Sequence, residues 1–157
     1  MFYWFWYLKR KLQRFSIYSQ NIVEVATTIE DLSSFVNAVE YADLIGLLGT
    51  WAENFTVFAP NNDAIKQAIG ALYGLPEVKK KEAVGKVLLR HVLLKIVKTG
   101  HIELGNTDYE TAGGEEITIT KTATGDIKIR SSKGMANVIA ADTIASNGVI
   151  HIVDNVF

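Results

Sequence analysis

The chain has 157 residues, of which 48% are hydrophobic and 21% charged, and a formal net charge of −1. These values suit one globular domain with a sizeable core, leave too little length for two, and give no overall electrostatic signal for nucleic acid. The chain contains no cysteine, which excludes a disulfide framework, a thiolate nucleophile and a thiolate metal site.

The first twenty residues differ from the rest. Lys9, Arg10, Lys11 and Arg14 put +4 into a stretch without an acid, which leaves −5 on the remainder. Phe2 to Leu8 are apolar and aromatic, but far short of the ~20 residues a membrane-spanning helix needs. The basic residues follow this run instead of preceding it, so the order does not match a cleavable export signal. Phe5, Leu8, Leu12 and Phe15 fall at helical spacing, and Trp4, Trp6 and Tyr7 are residue types that favour a membrane interface. Two readings stay open: an interfacial helix giving membrane-surface contact, or the remnant of a longer leader or a misassigned start. Residues 1–20 are therefore an expected appendage, and residues 21–157 the expected domain.

From Asn21 to Leu48 the pattern is helical. Leu32, Phe35, Val36 and Val39 build one apolar stripe, with Asp31 as a cap and Gly46 and Gly49 marking the end. Phe55 to Ala59 is aromatic and β-branched and stops at Pro60, as a short strand would. Asn61 or Asn62 caps a helix running to Leu72. A further helix is expected over 82–91, where Val84, Val87, Leu88 and His91 share a face. After Gly100 the period changes to two. Ile117 and Ile119, then Ile127 and Ile129, alternate with polar residues around Thr124-Gly125-Asp126, which predicts a hairpin. Val138 to Ala141 and Val149 to Val153 are two more strands around an Asn147-Gly148 turn. Helices first and strands second predict an α+β fold. Phe58, Val87, Leu88, Ile119, Ile129, Ile150 and Ile152 are expected to share one core.

The candidate chemical residues are few. His91 closes an apolar stripe and His151 alternates with Val149 and Val153. Both patterns favour histidines held by buried partners over ligands or bases. A metal site combining them with Asp154 would need three or four convergent ligands, which the spacing does not provide. Pro60 to Asp63 read as a helix cap with an acid in the first turn, against an anion-binding helix start. Asn54-Phe55-Thr56 matches a glycosylation sequon, but its last two residues begin a strand. No nucleophile elbow, phosphate loop, dinucleotide fingerprint or zinc-protease motif is present.

Three blocks in order carry a resemblance: FTVFAPNNDAI at 55–65, LRHVL at 89–93 and NGVIHIVDNV at 147–156. Together they resemble the fasciclin domain family over about residues 21 to 157. The chain departs from the family pattern at Arg90, where a tyrosine usually stands, at Leu94-Lys95, where Pro-Gly usually stands, and at Ile65, where a phenylalanine usually stands. The resemblance implies helices of the first half packed on a mostly antiparallel twisted sheet from the second. It implies a non-enzymatic adhesion module, without cofactor, contacting a cell-surface or matrix protein or glycan, at an extracellular, periplasmic or cell-surface location. Binding of a hydrophobic small molecule, a carotenoid or lipid, is the alternative. Family precedent nominates Asp142, Thr143, Arg90 and His91 as partner-binding positions. For Asp142, where the family has an Asp-Ile pair implicated in integrin binding, a plain turn-shaping role competes.

Overall fold

The computed structural model describes residues 20–50 and 53–157. Residues 1–19, and with them the readings of the aromatic-basic segment, lie outside the described residues.

The helical pattern over 21–48 is not one helix. It is divided into α1 (Ile22–Thr27), a 3-10 turn (Glu30–Leu32), α2 (Ser33–Tyr41) and α3 (Ile45–Leu48). The first break follows from the β-branched run Thr27-Thr28-Ile29. The two threonine hydroxyls donate to the carbonyls of Glu24 and Val25 at 2.6 and 2.7 Å, offering the backbone a local alternative to the helical ladder. The second break falls at Asp43, which has a positive φ of 57°. Asn21 caps α1 by accepting from the Glu24 amide. Asp31, expected as the cap, lies inside the 3-10 turn. Asn62, 28 residues away, supplies the cap of α2 instead: its Oδ1 accepts from the Ser34 amide at 2.9 Å and its Nδ2 donates to the Glu30 carbonyl at 3.1 Å.

β1 (Phe55–Pro60) is fully buried along its length. Asn61 then caps α4 (Asn62–Gly70), its side chain accepting from the Ala64 amide. α5 (Glu77–Arg90) begins a turn and a half before the expected start; its first turns, Val78-Lys79-Lys80-Lys81, show no apolar stripe to mark it in sequence. β2 (Val92–Leu93) follows directly, and a 3-10 turn (Thr99–His101) leads to β3 (Gly105–Glu110). The expected hairpin is β4 (Glu116–Lys121) with β5 (Ile127–Arg130), Ile119 opposite Ile129. β6 (Met135–Ala145) and β7 (Gly148–Val153) turn at Ser146-Asn147.

The strands form one seven-stranded sheet in the order β2-β1-β7-β6-β5-β4-β3. All pairs are antiparallel except β1–β7. β6 spans both halves, pairing with β5 through Met135 to Asn137 and with β7 through Val138 to Ala145. Register shifts on either side of Ala140 bend it between the two.

The expected single core is corrected to two. One cluster packs α1, α2, α3 and α5 on Val57, Ala59, Ile150 and Ile152. The other collects Phe58 and Val153 with Ile117, Ile119, Ile127, Ile129 and Phe157. The cause is alternation on β1 and β7: residues of each strand face opposite sides of a sheet that is covered on both. Val87 belongs to neither cluster and is half-buried.

Gly148 sits where β7 leaves its turn, paired with Phe55. A Cβ there would lie 1.9 Å from the Phe55 carbonyl oxygen, whereas one at Gly70, at the end of α4, would meet nothing within 4 Å. Gly148→Ala is expected to cost about 3 kcal/mol by overpacking against backbone, and Gly70→Ala to add about 0.5 kcal/mol through helix propensity. Urea unfolding of both variants checks the pair; equal, small effects of the same sign would contradict the close approach.

Candidate functional site

α5 ends by aiming its last residues inward. His91, its C-cap, is completely buried. The Phe157 amide donates to Nε2 at 3.2 Å, so Nε2 must be the unprotonated nitrogen, and Nδ1 donates to the Val87 carbonyl at 2.7 Å. The ring stacks on Phe157 with centroids 3.9 Å apart. Arg90 is 7% exposed. Its Nε donates to Glu115 Oε2 at 2.7 Å, Nη2 to Glu115 Oε1 at 3.3 Å and Nη1 to the Phe157 carbonyl at 3.0 Å. This two-pronged pairing holds the Glu115 carboxyl below its usual range. Neither Arg90 nor His91 has an exposed side chain with which to meet a partner, because the helix C-terminus points both at the chain's last residues.

The second polar centre is the bent part of β6. Asp142 has a positive φ of 58° and its amide donates to His151 Nδ1 at 3.1 Å. His151 Nε2 donates to the Val97 carbonyl at 2.8 Å, so this histidine holds the tautomer opposite to that of His91. The Asp142 carboxylate accepts from the Thr99 amide at 2.9 Å and from the Thr99 hydroxyl, which pins the 3-10 turn. Burial raises the Asp142 pKa, but the Thr99 hydroxyl and amide, together with electrostatic attraction from His151 and Lys98, more than offset it, leaving a net downward shift. Thr143 is half-buried, and Ile139 and Ile144 on either side are 53% and 57% exposed. The structure therefore places Asp142 and Thr143 on the same bent strand as two exposed isoleucines, and on a different element from Arg90 and His91.

Asp154, the third member of the imagined metal site, is occupied by Asn137, whose amide and side chain donate to its two oxygens at 2.7 and 3.0 Å. Among the described residues no group of three or more histidines and carboxylates is placed to hold a metal. At the sequon, Asn54 is exposed while Thr56 is fully buried, its hydroxyl donating to the Lys95 carbonyl and accepting from the Val97 amide.

One feature has no counterpart in the linear pattern. An apolar groove of about 720 Å³ runs between α2, α4 and α5, floored by Ala38, Ala64, Ile65, Ala68, Val84 and Leu88. Tyr73, at its α4–α5 end, is 78% exposed. Three helices from separate parts of the chain build it, so only the small residues of α2 and α4 hint at it in sequence.

Burial pushes His91 down to about 4 and lowers His151 as well. Both are neutral in the fold and take up protons more readily when unfolded. Their contribution to stability is complete above the unfolded histidine pKa of ~6.5 and is lost as pH falls toward 4. Unfolding free energy should thus fall from pH 7 to pH 5 by up to about 1.4 kcal/mol per pH unit per histidine. Denaturant titrations at pH 7, 6 and 5 measure this; stability that rises over that interval would contradict the neutral, buried assignment.

The comparisons with known proteins agree with this architecture. The family model described as Fasciclin domain matches residues 30–157. Protein sll1483 of Synechocystis sp. is 37% identical over 139 residues, covering 88% of this chain and 73% of that protein. Human periostin is 29% identical over 127 residues, covering 81% of this chain and 14% of periostin. The solved FAS1 domain pair of the insect cell adhesion molecule Fasciclin I superposes with a TM-score of 0.69 at 18% identity, over 88% of this chain and 50% of that one, a likeness of fold. With its family blocks placed on β1–α4, the end of α5 and β7, this chain belongs to the fasciclin domain family.

Proposed function

We propose that this fasciclin domain is a non-enzymatic adhesion module that contacts a cell-surface, matrix or envelope protein or glycan outside the cytoplasm. The observation that carries the reading is the bent stretch of β6, where Ile139 and Ile144 stand exposed on either side of Asp142 and Thr143. Exposed aliphatic side chains beside polar groups on a rigid strand make a small contact surface without any reacting group. The polar side chains of the family blocks serve the interior, which leaves binding to the surface. Membership of the fasciclin domain family supports an adhesive role and an extracellular or cell-surface setting. Among the described residues no helix is long and apolar enough to cross a membrane; a membrane-surface contact would fall to residues 1–20.

A surface this small binds feebly as one copy and gains strength by repetition, by roughly 10²–10⁴-fold where geometry allows. Beads carrying many copies should therefore be retained on native envelope or matrix material, while soluble single copies wash off. Ile144→Asp should reduce bead retention without changing the melting temperature by more than a few degrees, and Thr143→Ala tests the neighbouring polar contact. Retention no better than that of beads carrying denatured protein would end the adhesive reading.

The groove favours a second reading, in which the domain holds a hydrophobic small molecule such as a carotenoid or lipid. Its size lies within the range of small-molecule sites and its floor is apolar. Organic-solvent extraction of protein purified from its native source should then release a pigment or lipid in stoichiometric amount; an empty extract counts against it.

A further inference from the structure

The groove between α2, α4 and α5 has an asymmetric lining. Its floor is aliphatic and built on small residues, Ala38 and Ala68 among them, which leave room for a slender chain. Of the described residues that line it, Lys80 alone carries a charge. The Lys80 side chain is only 32% exposed, and among the described residues the acid within ion-pair distance of it is Glu77, 3.9 Å away and 73% exposed. Glu77 also accepts from the Tyr41 hydroxyl, and Tyr41 lines the same end of the groove. An apolar trough thus meets a partly covered lysine side chain that is weakly paired with an acid lying outside the lining.

We propose that this groove binds a single-chain amphiphile with an acidic head, a fatty carboxylate, with the chain on the Ala38–Ala68 floor and the head at Lys80. The proposal rests on the small-molecule reading of the groove and not on the adhesive one. Charge complementarity selects this occupant. Residues 1–20 carry four basic residues and no acid, so they would set cations against Lys80. A wholly apolar ligand would bury Lys80 further without giving it a partner, at a desolvation cost. A carboxylate satisfies both ends of the site.

Calorimetric titration of the full chain with decanoate, dodecanoate and tetradecanoate, each below its micelle concentration, tests this. Affinity should rise about fourfold per methylene as the chain fills the trough. Lys80→Met should weaken dodecanoate about fivefold and leave 1-dodecanol unchanged, since a half-covered ion pair is worth about 1 kcal/mol. Glu77→Gln should act oppositely, tightening the carboxylate by removing its competitor. Ala68→Trp, or the milder Ala38→Leu should the first not fold, should abolish binding of both ligands while the circular dichroism spectrum is retained. Equal affinity for the acid and the alcohol, with Lys80→Met without effect, would overturn the acidic head and leave the groove reading standing. No binding of any chain, or binding that survives a folded groove-filling variant, would overturn both.

Discussion

The parallel pairing of β1 with β7 is the constraint on which the rest of the molecule depends. It joins residues 55–60 to residues 148–153, more than half the length of the chain apart, and both strands are buried throughout. Every other feature attaches to it. The helical layer packs on one face and the β3–β4–β5 half on the other. Closing so large a loop costs chain entropy, so the pair must be held firmly where it begins. Asn147 does this. It is buried, accepts from the Ile22 amide at 2.9 Å and donates to the carbonyls of Leu48 and Thr50 at 2.7 and 3.0 Å, while Gly148 lets the Phe55 carbonyl approach. One side chain thereby ties the start of α1 and the end of α3 to the start of β7.

The polar residues that mark the family blocks are spent on the same task. Asn61 caps its own helix and Asn62 caps a distant one. His91 and Arg90 fasten the last residues to α5, and His151 and Asp142 hold the bent strand and the Thr99 turn. Groups committed to buried partners in this way are costly to remove and poorly placed to react. The division leaves two features that the scaffold does not use, the exposed stretch of β6 and the groove between helices, and the proposed contacts are placed there.

Elements set by local pattern were legible in the sequence. β1, α4 with its asparagine cap, the β4–β5 hairpin and the central, two-faced character of β7 all follow from residues within a few positions of one another. The elements that were not legible depend on distant partners. β3 reads Gly-Asn-Thr-Asp-Tyr-Glu, with no apolar alternation, and is a strand only because β4 pairs with it. Within 21–48 the breaks lie in local residues, but the cap that starts α2 comes from Asn62. Asn147 looked like a turn residue, and its burial follows from two segments about a hundred positions earlier. Arg90 was nominated as a partner-binding position where the family has a tyrosine, yet its guanidinium is matched by Glu115, which no spacing rule connects to it. The groove was no more than hinted at by the small residues of α2 and α4, since three helices must pack before the space exists.

If the β1–β7 pair is the element on which both cores depend, its amides should exchange with solvent only when the whole domain unfolds. Native-state hydrogen exchange across a denaturant series measures this directly. The expected result is that the amides of β1 and β7 share one opening free energy, equal to that of global unfolding, with those of β3 and β4 opening at lower cost. Exchange of the β1–β7 amides through a low-energy local opening, while the β4–β5 hairpin stays protected, would contradict the account.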